Sequence, residues 1–137
     1  MKILRNILVV IAGIIGGSII NMGVLTIAPY LVDYPEGFDN STSEALASTL
    51  HLLQPKHFLF VFLSHGLGTL AGAYIAAKIA ASRQLVFASI IGILFFLGGV
   101  YMMSILPSSP TWYNITELIG AYIPMTWIGW KLAGSKK

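Results

Sequence analysis

The chain has no cysteine and very little charge. Without cysteine it can form no disulfide, no iron–sulfur cluster held by thiolates and no thiolate zinc site. Charged residues make up 9% of the 137 residues, whereas soluble proteins average about 25%. A soluble domain this small exposes a large share of its surface, so it could not hide so many apolar side chains. The composition therefore excludes an ordinary soluble protein.

Long stretches without charge predict where the chain resides. Residues 6–32 contain no charged side chain at all. A run of that length is stable in hydrocarbon as a helix, because a helix satisfies its own backbone N–H and C=O groups. We predict a single domain, residues 1–137, that is an all-α integral membrane protein with four transmembrane helices. The predicted spans cover about 4–31, 57–77, 84–106 and 111–130, the first of them an uncleaved span.

The only markedly polar segment is the predicted outer loop, residues 32–56. Residues 41–44 have the spacing of a capping box, in which Ser41 bonds a free N–H and Glu44 reaches back. Apolar residues then recur at i, i+4 and i+7: Leu46, Leu50 and Leu53. We predict a short amphipathic helix here, ending at Gln54, whose apolar face lies on the bilayer interface or across the mouth of the bundle.

Lysine and arginine are distributed unevenly over the four-span arrangement. Seven of the eight fall on one side: Lys2, Arg5, Lys78, Arg83, Lys131, Lys136 and Lys137. Lys56 falls on the other side, together with four acidic residues: Asp33, Glu36, Asp39 and Glu44. Because basic residues are retained in the cytoplasm, both termini are predicted to be cytoplasmic.

Small residues recur at helical spacing and predict close helix packing. Along the second span and just beyond it they form a seam of small residues with one member every four positions: Ser64, Gly68, Gly72, Ala76 and Ala80. The first span carries Gly13 and Gly17, and the fourth carries Gly120. Helices in lipid associate where small residues allow their backbones to approach. The seam could join helices within one chain or mate two copies of the chain.

Three polar residues are predicted to lie inside the bilayer: Asn21, His65 and Glu117. An ionisable residue within a membrane is expensive to bury and is a functional candidate by default. His65 and Glu117 could exchange protons with one another, since imidazole titrates near neutral pH. The competing structural interpretation is that Glu117 pairs with His65 or with nearby polar side chains and sets the helix register.

Other chemistries have no support in the sequence. His51 and His57 accompany the acidic loop, but no i, i+3 or i, i+4 pair offers chelating geometry, so we expect no metal site. No nucleophile elbow, phosphate loop or paired catalytic carboxylates occur, and we expect neither a cofactor nor enzymatic activity. Basic residues are too few and too scattered for nucleic acid.

Three phrases resemble an uncharacterised group of small four-span bacterial membrane proteins. They are residues 54–58 (QPKHF), 64–70 (SHGLGTL) and 120–124 (GAYIP). The resemblance would cover essentially the whole chain. It implies the four-span topology and residence in the bacterial inner membrane, and it assigns no functional residue.

Two functional hypotheses follow. The first is a non-enzymatic structural or accessory protein that associates with its own copies or with a larger membrane complex through the seam. The alternative is a small proton- or ion-coupled transporter that uses Glu117 and His65. A membrane enzyme acting on lipid is a third possibility, but it lacks a recognisable acid–base pair.

Overall fold

The computed structural model describes residues 1–134, and every regular element in that range is helical. The elements are α1 (Lys2–Leu31), α2 (Ser43–Thr49), a 3-10 turn (Leu50–Leu52), α3 (Pro55–Ile79), α4 (Gln84–Ile105), α5 (Thr111–Glu117), a π-helical turn (Leu118–Tyr122) and α6 (Ile123–Leu132). The predicted all-α class is confirmed for these residues. Lys136 and Lys137 lie outside the described residues.

Three helices are long and apolar enough to cross a membrane: α1, α3 and α4. Their most apolar stretches have mean hydropathies of 2.3, 1.6 and 2.3. The predicted fourth span is divided among α5, the π-helical turn and α6, so no single helix there reaches the length of a span. The chain is therefore an all-helical protein suited to a membrane.

Helix α3 lies at the centre of the bundle. It packs against α1 on one side and against α6, the π-helical turn and α4 on the others. In its most apolar window 39% of residues are buried, against 17% for α1 and 22% for α4. The central position of α3 also explains its lower hydropathy, because polar residues are more stable in a helix that contacts protein than in one that contacts lipid.

Two ends of the bundle are distinct. At one end the Arg5 guanidinium donates to the carbonyl of Ile79 at 3.4 Å, and the Lys78 ammonium donates to the carbonyl of Ala133 at 3.5 Å. These bonds gather the start of α1 and the ends of α3 and α6 together. At the opposite end, residues 32–54 form a segment that we call the cap. The Ser108 hydroxyl donates a 2.9 Å hydrogen bond to the backbone carbonyl of Ala47 in this cap.

The cap helix differs from its prediction at both ends. The N-cap is Thr42, not Ser41, and its hydroxyl accepts from the N–H of Ala45 at 3.0 Å. Helix α2 ends at Thr49, and a 3-10 turn carries the chain on to Leu52 instead of one helix reaching Gln54. Leu50, the first residue of that turn, is buried. The three predicted apolar residues, Leu46, Leu50 and Leu53, pack in one cluster. The same cluster contains residues from the start of α3, the end of α4 and the start of α5: Phe58, Leu106 and Tyr113.

Helix α3 begins at Pro55, two residues earlier than predicted. Proline suits the first turn of a helix, since its missing N–H would have no partner there. Gln54 and His57 form a reciprocal cap around this start. These Gln54–His57 hydrogen bonds connect the end of the outer loop to α3, the helix that carries His65.

Candidate functional site

The seam of small residues brings α1 and α3 into backbone contact. A Cβ atom on Gly17 would stand 2.6 Å from the carbonyl oxygen of Gly68. A Cβ on Gly72 would likewise stand 2.7 Å from the carbonyl oxygen of Gly13. Only glycine allows an approach this close. Within the described residues the seam therefore joins two helices of one chain.

The other small residues have separate partners. Ser64 is fully buried, and its hydroxyl donates to the Val61 carbonyl at 2.6 Å. Ala76 packs with Val9 in the core between α1 and α3. Gly120 faces the ring of Phe62, to which a Cβ would come within 3.0 Å.

A buried polar cluster lies where α3 meets the end of α5. The Glu117 carboxylate is bonded through Oε1 to Nδ1 of His65. Glu117 is 3% exposed, whereas the His65 side chain is 24% exposed. The Tyr122 hydroxyl donates to the same carboxylate oxygen at 3.2 Å. Two of the three predicted intramembrane residues thus form one site, which we call the His65–Glu117 pair.

The π-helical turn explains how Tyr122 reaches Glu117. In an α-helix, residues five apart point in directions about 140° apart. A π turn closes each hydrogen bond five residues back, so Glu117 and Tyr122 lie one above the other. The widened turn ends at Tyr122, two residues before Pro124, which has no N–H to donate to an α-helical ladder. Such turns occur frequently at functional sites.

Neighbouring groups contact His65 and Tyr122. The Thr69 hydroxyl donates to the backbone carbonyl of His65 at 2.7 Å. The Thr126 hydroxyl donates to the backbone carbonyl of Tyr122 at 2.6 Å. Gly99 of α4 lies against the Tyr122 hydroxyl, where any side chain would collide with it.

Two cavities meet at His65. One, of about 200 Å³, lies beneath the cap and is bordered by His65, Glu117 and Tyr113; we call it the cap cavity. The other, of about 390 Å³, lies between α1 and α4 and is bordered by His65, Tyr122 and Asn21; we call it the α1–α4 cavity. His65 therefore borders both cavities, whereas Glu117 borders the cap cavity and not the α1–α4 cavity. A larger cavity of about 440 Å³ between α4 and α6 has an almost wholly apolar lining and does not include the pair.

Asn21 belongs to the neighbourhood of the pair but not to its hydrogen bonds. Its Cβ lies 3.0 Å from the position that a Gly68 Cβ would take. The side chain borders the α1–α4 cavity opposite His65. Asn21 therefore forms part of the wall of that cavity.

His57 has a structural environment. It is 1% exposed, its Nδ1 accepts from the Gln54 N–H at 2.9 Å, and its Nε2 donates to the Asp33 carbonyl at 2.9 Å. Both ring nitrogens are occupied, so neither is free to bind a metal. In residues 1–134 no three side chains of His, Cys, Asp or Glu are grouped to hold a metal ion.

The cap carries negative charge and neutral aromatic rings. The Ser41 backbone N–H, 2.8 Å from the Asp39 carboxylate, holds the pKa of that carboxyl below its ordinary value. Partial burial raises the pKa of the Tyr34 hydroxyl, so that tyrosine stays neutral at physiological pH. The Tyr34 ring stacks on Phe38 with centroids 5.0 Å apart.

Sequence reasoning did not identify the two tyrosines of the site. Tyr122 is five residues from Glu117, a spacing that places two residues on different faces of an α-helix. Tyr113 is four residues before Glu117, a spacing that does place them on one face. Its hydroxyl lies close enough to Glu117 to interact with that charge, yet it is buried without a hydrogen-bond partner among the described residues. The one available signal was Pro124, which marks an irregular helix.

A scan against models of protein families and searches of curated proteins and solved structures find no match. The resemblance to small four-span bacterial membrane proteins therefore remains a prediction.

Proposed function

We propose that this protein is a small proton-coupled carrier whose proton-exchange site is the His65–Glu117 pair. The observation that carries the proposal is a carboxylate, 3% exposed, that is hydrogen-bonded to an imidazole bordering two cavities. A buried carboxylate and an imidazole that share a hydrogen bond can hold one proton between them. Because the imidazole borders two cavities, we propose that each provides a route for that proton.

The proposal includes a four-span topology. Residues 111–132 form a continuous helical segment of α5, the π-helical turn and α6, and its irregular centre packs on protein. Non-helical geometry at membrane depth is stable where neighbouring protein covers it. The basic residues of α1, α3 and α6 lie at one end, so we propose cytoplasmic termini in a bacterial inner membrane.

An accessory role is the competing proposal. A protein of that kind would bind its own copies or a larger complex, and it would need a surface other than the seam, whose glycines face one another inside one chain. Purification in mild detergent separates the two proposals. A partner that co-purifies equally with the wild type and Glu117→Gln favours the accessory role.

Proton flux tests the carrier directly. The full chain is reconstituted in liposomes that enclose a pH-sensitive dye, and a pH gradient with a membrane potential is imposed. We expect wild-type vesicles to equilibrate faster than protein-free vesicles. Glu117→Gln keeps the side-chain shape and removes the ionisable group, so its flux should fall to the protein-free rate.

Glu44→Gln is the matched control, since Glu44 is an exposed carboxylate at the first turn of α2. It should transport as the wild type does. Wild-type flux in a folded Glu117→Gln protein, with helical content checked by circular dichroism, would remove Glu117 from the mechanism.

A further inference from the structure

The largely apolar wall of the cap cavity includes several aromatic rings. Four rings border it: Tyr34, Phe38, Phe58 and Tyr113. The Phe58 and Tyr113 rings lie 4.7 Å apart by their centroids, and Tyr34 stacks on Phe38. The face of an aromatic ring carries partial negative charge and attracts a cation within about 6 Å. Walls of this kind favour an organic cation over an anion.

The charges around the cavity have the same sign. Glu117 is the carboxylate that borders it. When neutral His65 donates its Nδ1–H to ionised Glu117, the pair has a net charge of −1. The cap above carries Asp33, Glu36 and Asp39, and their field concentrates cations at the outer surface.

A polar group at the cavity wall has no partner. Tyr113 is 6% exposed, and its hydroxyl makes no hydrogen bond among residues 1–134. A buried hydroxyl without a partner is costly, and such groups are uncommon in folded proteins. A ligand with an N–H donor would satisfy it. The hydroxyl also lies near the Glu117 carboxylate, so a ligand that satisfied it would lie beside that charge.

The volume limits the size of that molecule. A cavity of about 150 Å³ holds benzene, which has six heavy atoms. The cap cavity, at about 200 Å³, accommodates a somewhat larger molecule. The scale is that of a single ring bearing an aminomethyl group.

We propose that the cap cavity binds a small organic ammonium ion, with the Glu117 carboxylate as counter-ion and the Tyr113 hydroxyl as hydrogen-bond acceptor. This inference rests on the proposed function, because it names the class of substrate that the carrier exchanges for protons. One proton or one monovalent cation neutralises the net charge of the pair. The two therefore compete for it, which couples their movements in opposite directions.

Calorimetric titration of the full chain in mild detergent at pH 7.5 tests this assignment. The probes are benzylammonium and benzyl alcohol, which have the same number of heavy atoms and differ in charge. We expect saturable binding of benzylammonium, with benzyl alcohol at least tenfold weaker. Glu117→Gln should weaken benzylammonium binding at least tenfold.

Tyr113→Phe provides a test that leaves both His65 and Glu117 in place. Removing an unsatisfied hydroxyl should leave the thermal stability unchanged or raised, while benzylammonium binding weakens roughly threefold or more. Tyr101→Phe is the control, since Tyr101 is 64% exposed on α4 and does not border the cap cavity. It should bind as the wild type does.

Equal binding of the two probes, or wild-type affinity in Tyr113→Phe, would overturn the inference even if Glu117→Gln fails to fold. Glu117-dependent proton flux without benzylammonium binding would overturn the inference and leave the proposed function standing. Selective benzylammonium binding without Glu117-dependent flux would support the cation site and refute the carrier.

Discussion

The contact between α1 and α3 makes a sharp prediction for Gly17→Ala. The new Cβ would lie 2.6 Å from the Gly68 carbonyl oxygen, about 0.8 Å inside the 3.4 Å where ordinary van der Waals contact begins. That oxygen belongs to helical backbone and cannot rotate away, so α1 must move from α3. Overpacking of this kind costs about 1–3 kcal/mol.

Gly23→Ala is the matched control in the same helix, because nothing lies within 4 Å of its Cβ position. Alanine is favoured over glycine inside a helix by about 0.8–1.0 kcal/mol, and this gain is common to both variants. Their difference therefore isolates the overpacking, and Gly17→Ala should be less stable than Gly23→Ala by about 1–3 kcal/mol.

Equilibrium unfolding in mixed micelles, followed by circular dichroism, measures that difference. Equal stability of the two variants, or greater stability of Gly17→Ala, would refute the internal seam. It would then favour the alternative in which the seam mates two copies of the chain.

Two further pairs of variants test the surroundings of the site. Gly99→Ala should lower stability by about 1–3 kcal/mol and slow proton flux, since its Cβ collides with the Tyr122 hydroxyl, whereas Gly98→Ala, with open space, should do neither; equal flux and stability in thermal denaturation and dye assays would contradict this. His57→Ala leaves a backbone N–H and a carbonyl unpaired and should cost about 1–3 kcal/mol in the same denaturation assay, whereas exposed His51→Ala should change little; a wild-type His57→Ala melting curve would show that the cap is held by other contacts.

Much of the architecture was predictable, because hydrocarbon imposes simple rules on a chain. Three helices long and apolar enough to span a membrane follow directly from the uncharged runs. The pairing of His65 with Glu117 was one of the stated alternatives, since two polar groups inside a bundle stabilise each other. Helix α3 begins two residues before the predicted span, because proline is favoured in the first turn of a helix.

The geometry around the pair could not be read from sequence. Tyr122 contacts Glu117 because residues 118–122 adopt π-helical geometry. No hydrophobic periodicity in the sequence predicts such a turn. The sequence also could not predict that α1 packs against the seam, because the spacing of Gly13 and Gly17 is common to many small-residue motifs. The sequence also cannot predict the volume of a cavity, so it gave no indication of the cap cavity, which forms where the outer loop folds over α3 and α5.

The central claim is that His65 and Glu117 act as one proton-exchanging unit. The most direct measurement is proton flux in liposomes for His65→Gln, Glu117→Gln and the double variant. Residues that act as a unit are strongly non-additive, so all three should share one residual rate. Wild-type flux in His65→Gln, or a double variant much slower than either single one, would contradict the account.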